Sequence, residues 1–272
     1  MQSFSISPIK LVRLVANRWP LIADLTKRDA LGRYKNSVLG AVWSLVTPVM
    51  MLIVYTFVFS TIFKVRWAGG SESKTEFAVV LFCGLIIFNI FAECVSKAPS
   101  VIVGNANLVK KVVFPLEVLP VISLLSSLVH AGIAFAVLLV FQFIFTGRLP
   151  GEVLLLPLVL VPHCLFVLGV TWFISSLAVY VRDIAQTIGV LVTMLMFLSP
   201  VFFPTSALPP EWRGLIDLNP LALPIEQARD LAVWGRLPTA TGLMRTWLVG
   251  AVTAWAGFVW FQSSRRGFAD VI

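Results

Sequence analysis

Long apolar runs, separated by short polar or basic segments, make up most of this chain. The first run, residues 38–63, contains 26 residues and no formal charge. As a helix it would extend about 39 Å, which exceeds the roughly 30 Å hydrocarbon core of a bilayer. The runs do not alternate with polar residues, and only helices or closed barrels satisfy the backbone in lipid. The pattern therefore predicts an all-α integral membrane protein with six transmembrane helices. The predicted spans lie near residues 38–63, 77–92, 118–146, 153–181, 184–203 and 244–261.

The composition supports a membrane location and argues against a nucleic-acid partner. The 272 residues are 58% hydrophobic and 12% charged, whereas soluble domains carry about 25% charged residues. Loops on the cytoplasmic side are enriched in Lys and Arg, and this rule explains the net charge of +8. Six crossings place both termini on one side, and cytoplasmic termini put 13 of the 21 Lys and Arg residues inside. We therefore expect a multi-pass protein with both termini in the cytoplasm.

The N-terminal segment, residues 1–35, is basic and is expected to be cytoplasmic. It lacks the apolar core of a cleavable signal peptide. Trp19 and Pro20 are suited to begin an amphipathic interfacial helix, in which Asp24 and Asp29 would each precede an arginine by four residues. This helix is either a topology signal held against anionic lipid or a docking surface for a lipid headgroup or partner subunit. The transmembrane domain would follow as residues 36–265, and a cytoplasmic tail as residues 266–272.

Two connecting segments stand out between the predicted spans. Residues 93–117 form the longest predicted cytoplasmic loop, and their polar-to-basic centre fits either a solvated linker or a short helix presented to another protein. Residues 200–238 contain seven of the 16 prolines. Broken helices at membrane depth are tolerated only where protein or a cavity surrounds them, so we expect two short re-entrant or interfacial outer helices. Glu226, Arg229 and Asp230 are expected near the outer rim.

Several kinds of chemistry are missing from the sequence. The predicted span centres carry no Lys, Arg, Asp or Glu, which are the usual groups of ion-coupled carriers. His130 and His163 lie in separate runs without a nearby carboxylate in the sequence, so packing roles are favoured. The three cysteines match no metal or redox spacing, and no Gly-Lys dipeptide of a phosphate-binding loop occurs. We expect no catalytic residues, metal or cofactor in this chain, and any energy for transport must come from another polypeptide.

Aromatic residues suggest a sugar-compatible surface. Tyr55, Phe59 and Phe63 are spaced by four residues and would form one stripe on the first span, and Phe88 follows on the second. Aromatic faces offer apolar contact to sugar rings without strong hydrogen bonds. Packing against lipid or other helices is the alternative for each of them.

Several motifs resemble type-2 ABC permeases that export polysaccharides, and most closely those for O-antigen. The resemblance covers nearly the whole chain in order. The motifs are LTKRD at 25–29, RYKNSVLG at 33–40, WSL at 43–45, YTFVFS at 55–60, FKVRW at 63–67, KKVVFP at 110–115, VRDI at 181–184, SPVFFP at 199–204 and LNPL at 218–221.

The resemblance implies a machine and a cargo. Two copies of the chain would join two ABC ATPase subunits, which bind ATP and Mg, in a bacterial inner membrane. The cargo would be a polysaccharide on undecaprenyl diphosphate; capsule or teichoic acid polymers, or a drug or lipid, are the alternatives. Four groups of residues acquire candidate roles. They are Arg28, Arg33 and Lys35 for meeting the lipid diphosphate; Asn105, Asn107, Leu108, Lys110 and Lys111 for coupling to the ATPase; Tyr55, Phe59, Phe63 and Phe88 for lining the channel; and Pro204, Pro209, Trp212 and Pro220 for the outer gate.

Overall fold

The computed structural model describes residues 13, 16–32, 37–58, 74–109 and 114–272, and it contains no strand within them. The protein is all-α over this part of the chain, as the sequence predicts. The α-helices are α1 (Trp19–Gly32), α2 (Trp43–Phe57), α3 (Lys74–Val103), α4 (Ala106–Val109), α5 (Val118–Thr146), α6 (Leu156–Tyr180), α7 (Ile184–Leu198), α8 (Pro210–Asp217), α9 (Ala222–Arg229), α10 (Ala240–Ser264) and α11 (Phe268–Val271).

Among the described residues, four helical segments are long and apolar enough to cross a bilayer: Gly40–Phe57, Glu76–Val103, Val118–Thr146 and Gly151–Tyr180. α7 is apolar but has only 15 residues. α10 has 25 residues and carries Arg245 in its second turn. Helices therefore occupy the places of all six predicted runs, while a full set of six crossings stays a prediction.

The helix that contains the second predicted span, residues 77–92, extends beyond that span at its C-terminal end. α3 continues without interruption to Val103, through Glu93, Lys97 and Pro99. The prediction ended the span at the first charge, but both charged side chains have partners on other helices, so the helix does not need to stop there. The predicted cytoplasmic loop of residues 93–117 is correspondingly shorter.

Helix α3 is the centre of the bundle. Its buried residues face all directions, and they include Val80, Leu81, Cys83 and Ile87, which have no exposed surface. The helix contacts α2, α5, α6, α7 and α9. A helix that is hydrophobic all round is expected to be enclosed by protein, and α3 is enclosed in this way.

Helices α6 and α10 pack at very short range through glycines. A Cβ at Gly169 would collide with the backbone of Thr253, one at Gly250 with the carbonyl of Pro162, and one at Gly257 with the carbonyl of Gly169. Small residues allow such close approach of helices in membranes, where dispersion contacts supply much of the association energy. These glycines fix α10 against α6.

Helix α1 begins at Trp19, as predicted, and lies against α5. Its buried face consists of Ile22, Thr26 and Ala30, spaced by four residues, while Leu21 is exposed. Leu25 is partly buried against the core. Small Thr26 and Ala30 allow the helix to sit close to its neighbour.

The proline-rich segment contains two short helices where two were predicted. A 3₁₀ turn, Thr205–Ala207, precedes α8, and α9 continues into a π-helical turn, Asp230–Trp234. Gly235 ends this turn with φ +62°, a conformation that glycine adopts without the steric cost of a Cβ.

Candidate functional site

A ladder of charged side chains links α1 to α3 and α5. Lys97 Nζ on α3 donates to Asp29 Oδ2 on α1 at 3.2 Å, and it lies 3.4 Å from Glu93 Oε1, one turn earlier on α3. Glu93 in turn accepts a hydrogen bond from His130 Nδ1 on α5 at 3.2 Å. Four side chains from three helices thus form one continuous chain of charge-assisted contacts.

This ladder corrects the sequence interpretation of His130. The sequence suggested a histidine without a carboxylate, but Glu93 lies 37 positions earlier and is brought within hydrogen-bond distance by the packing of α3 on α5. No spacing within one helix could reveal this contact. His163 differs, because its Nε2 donates to the backbone carbonyl of Ile87 at 3.1 Å, as expected for a histidine with a packing role.

Two cavities meet at Lys97. The interfacial cavity, of about 630 Å³, lies between α1, α3 and α5. Its polar lining consists of Arg28, Asp29, Lys97, Ser100, Asn105 and Ser123. The bundle cavity, of about 480 Å³, lies between α2, α3 and α5, and Lys97, Glu93 and His130 are among its lining residues. Lys97 lines both cavities.

The interfacial cavity combines two cations with an apolar wall. Arg28 and Lys97 supply positive charge, Asp29 supplies one negative charge, and Leu25, Leu119 and Ile122 supply apolar surface. Serine and asparagine side chains add neutral hydrogen-bonding groups. Such a lining suits an amphipathic ligand with an anionic head, since Arg and Lys both bind phosphate oxygens and the wall excludes water from the apolar part.

A buried charge holds the proline-rich segment. Arg229, at the end of α9, is only 1% exposed, which corrects the expectation that it lies at the outer rim. Its guanidinium donates to three backbone carbonyls, at 2.9 Å to Val80, 2.5 Å to Pro200 and 2.6 Å to Val201. Burial lowers the pKa of Arg229 to about 10, so the side chain remains protonated at neutral pH.

This arginine clamp joins three parts of the fold. Val80 belongs to α3, and Pro200 and Val201 lie two and three residues beyond the last residue of α7, close to a helix C-terminus, where a cation is favourable. Gly84 makes the space, because a Cβ there would collide with the Arg229 guanidinium. Around the same segment, Thr205 donates to Glu226 at 2.5 Å and Asn219 donates to Ser199 at 2.9 Å.

The structure brings some of the predicted coupling and lipid-binding residues together and leaves others apart. Arg28 and Asn105 line the same cavity, although the sequence assigned them to different roles. Asn105 donates to the Val101 carbonyl at 2.9 Å at the end of α3, and Asn107 and Leu108 belong to the four-residue helix α4. Arg33, Lys35, Lys110 and Lys111 lie outside the described residues.

The predicted channel and gate residues lie in different environments, and some of them lie outside the described residues. Phe88 is buried in the core beside Phe91, with ring centroids 6.0 Å apart, so packing is the alternative that fits it in this chain. Tyr55 is partly buried against the core, and Phe59 and Phe63 lie outside the described residues. Pro204 and Pro209 flank the 3₁₀ turn and α8, whereas Trp212 and Pro220 are exposed.

The described residues include no group of three His, Cys, Asp or Glu that could hold a metal ion. The functional features that the structure adds are Lys97, Glu93 and the buried Arg229. The sequence signal for Lys97 was its position four residues after Glu93, which would have suggested a continued helix.

Apolar helices of bilayer-spanning length in a closely packed bundle define a multi-pass helical membrane protein. The sequence profile of the ABC-2 type transporter family matches residues 21–233, and the chain belongs to that family. It is therefore a transmembrane permease of an ABC transporter, as the sequence resemblance implied.

Relatives cover nearly the whole chain. The O-antigen export system permease protein RfbA of Myxococcus xanthus is 27% identical over 266 residues, which is 97% of this chain and 100% of the relative. A protein of the same name from Klebsiella pneumoniae is 26% identical over 97% of this chain and 99% of its own length. The polysialic acid transport protein KpsM of Escherichia coli is 23% identical over 89% of this chain and 92% of its own length.

Proposed function

We propose that this permease is the membrane subunit of an ATP-driven exporter that moves an O-antigen-type polysaccharide, linked to undecaprenyl diphosphate, across the bacterial inner membrane. The observation that carries the proposal is the interfacial cavity, in which Arg28 and Lys97 stand against an apolar wall beside α1. An anionic group on a long lipid has this combination of properties. The relatives named for O-antigen export support the same cargo class.

The proposal includes partners that supply energy. This sequence has no phosphate-binding loop, so ATP and Mg would bind to two separate ATPase subunits, which join two copies of this chain. Both termini would lie in the cytoplasm. The short helix α4, which contains Asn107 and Leu108, would contact the ATPase together with the preceding Asn105 and the following Lys110 and Lys111. Replacing both lysines by glutamate should then weaken ATPase co-purification without preventing membrane insertion.

Export and energy coupling can be tested in one strain. Deletion of the gene should abolish surface O-antigen while lipid-linked glycan accumulates inside the cell, and the wild-type chain should restore export. Arg28→Gln should restore it poorly, because the cavity loses a cation. Lys27→Gln is the matched control on the same helix, since Lys27 is exposed and lines neither cavity. Normal O-antigen in the deletion strain would refute the cargo.

Reconstitution tests whether ATP hydrolysis belongs to the ATPase subunits and not to the permease. The permease alone in proteoliposomes should not hydrolyse ATP, and addition of the ATPase subunits should produce hydrolysis and glycan transport. Hydrolysis by the permease alone would contradict the proposal.

A capsule polymer is the second candidate, because the polysialic acid transport protein of Escherichia coli is also a relative. The two cargoes differ in which surface polymer disappears on deletion. Loss of capsule with intact O-antigen would replace the first candidate by the second, and loss of drug resistance alone would favour the drug or lipid alternative.

A further inference from the structure

Lys97 occupies an unusual position, because it lines two cavities and is held between two carboxylates. The two partners differ in environment. The Asp29 side chain is 39% exposed, whereas that of Glu93 is 15% exposed and also accepts a hydrogen bond from His130. The Asp29 contact is therefore the more weakly held of the two, since exposed ion pairs contribute little free energy.

A diphosphate in the interfacial cavity would compete directly with Asp29. It offers more negative charge and more acceptor oxygens than one carboxylate, and Arg28 and Lys97 line the same space. Lysine binds phosphate as a mobile point charge on a flexible stem, so its ammonium can change partner while Glu93 continues to hold it from the other side.

We infer that Lys97 is an anion-binding residue of the interfacial cavity and that Asp29 is its resident competitor. When the diphosphate of a lipid carrier enters the cavity, Lys97 exchanges Asp29 for the ligand. Helix α1 thereby loses the ion pair that ties it to α3. Binding of the anionic head is in this way coupled to release of the interfacial helix. The identity of the ligand rests on the proposed function, whereas the exchange itself rests on the Asp29–Lys97 contact.

A double-mutant cycle on the complete complex with its ATPase subunits, in lipid nanodiscs, tests the exchange. The probe is a short-chain prenyl diphosphate, and its affinity is measured for wild type, Asp29→Asn, Lys97→Gln and the double variant. Asp29→Asn should bind about two- to fivefold more tightly, the range for removing a partly exposed ion pair. Lys97→Gln should bind more weakly, and in that background Asp29→Asn should have no tightening effect.

Matched controls separate exchange from general charge effects. Asp24→Asn removes an exposed acid of the same helix that lines neither cavity, and it should leave the affinity unchanged. Lys97→Arg keeps the cation and should keep both binding and the response to Asp29→Asn, which guards against loss of folding in Lys97→Gln. Hydrogen exchange of residues 19–32 should rise on ligand addition in wild type and should already be raised in Asp29→Asn.

The outcomes distinguish the exchange from the cargo. If the effects of Asp29→Asn and Lys97→Gln on affinity are additive, the exchange is overturned. If cells that carry these variants still export O-antigen normally, the proposed function stands. If inorganic diphosphate or phosphatidylglycerol reproduces the cycle but the prenyl diphosphate does not bind, the exchange stands and the cargo assignment fails. Absence of binding by all three probes would overturn both.

Discussion

Arg229 and Lys97 are both cations inside the helical bundle, but they are held in different ways. Arg229 is almost completely buried and donates to three backbone carbonyls, which cannot move without moving α3 and the end of α7. Lys97 is 31% exposed and contacts the side chains of Asp29 and Glu93, beside two cavities. Arg229, which is held by backbone groups with no room for a ligand, keeps its partners permanently. Lys97, which is held by side chains beside a cavity, can exchange a partner for a ligand.

The difference between the two cations follows from how much hydration each has lost. A buried cation has lost its hydration, so removal of its partners or of the cation itself leaves unpaired groups and is costly. A partly exposed cation keeps water as an alternative partner, so its ion pairs contribute little to stability and can be given up to a ligand. The stability effect of a substitution should therefore decrease with exposure, while the effect on ligand binding should not.

The largest stability effect is expected for Arg229→Gln. An amide cannot reach all three carbonyls, and the resulting unpaired buried groups should cost about 3–5 kcal/mol. Thermal unfolding and size-exclusion yield of the purified complex would show the loss. Arg229→Lys should lose less stability than Arg229→Gln, because lysine keeps the positive charge although it lacks the planar guanidinium that reaches all three carbonyls. A thermal midpoint of Arg229→Gln within one degree of wild type would contradict the view that the buried arginine contributes more to stability than Lys97.

Gly257→Val should have the next largest effect. The new side chain would collide with the backbone of α6 at Gly169, and overpacking of this kind costs about 1–3 kcal/mol. Gly132→Ala on α5 is the control, because a Cβ there meets no atom within 4 Å. The same unfolding measurement should place the control at or slightly above wild type. Equal losses for both glycines would mean that close helix approach is not the cause.

The ion pair between Arg265 and Glu117 is an intermediate case. The two side chains are 15% and 9% exposed, and Arg265 Nη1 lies 2.5 Å from Glu117 Oε2. Its coupling energy in a double-mutant cycle of Glu117→Gln and Arg265→Gln should be about 1–2 kcal/mol. A coupling energy as small as that of an exposed ion pair would show that burial does not determine how much such a pair contributes to stability.

Lys97→Gln should destabilise the fold least, by less than about 1 kcal/mol. The loss should shrink further as salt screens the exposed contacts, which chemical denaturation at two ionic strengths would measure. Destabilisation comparable to that of Arg229→Gln would make Lys97 a structural residue and remove the distinction between the two cations.

The sequence predicted the parts of this fold that depend on local pattern. Continuous apolar runs located the principal helices, and Trp19 with Pro20 located the start of α1. Prolines indicated the two short helices α8 and α9. These features follow from periodicity and from the lipid solvent, which act within one stretch of chain.

The sequence failed where contacts join distant positions. Arg229 was expected at the rim because it lies in a charged piece that was interpreted as a short outer helix, yet its partners lie 149, 29 and 28 positions away. His130 was interpreted without a carboxylate because Glu93 lies on another helix. Helix α3 was ended too early because a charge was taken as a boundary, although the fold pairs that charge. Such pairings depend on helix packing, which hydrophobic periodicity does not encode.

The close fit of Gly84 to Arg229 also limits how this family of sequences can vary. The guanidinium occupies the space in which any side chain at position 84 would begin. Homologues that keep an arginine at the position of 229 should therefore keep glycine at that of 84, and those with a larger residue at 84 should carry a shorter one at 229. The two positions, 145 apart in sequence, should covary as a single evolutionary unit.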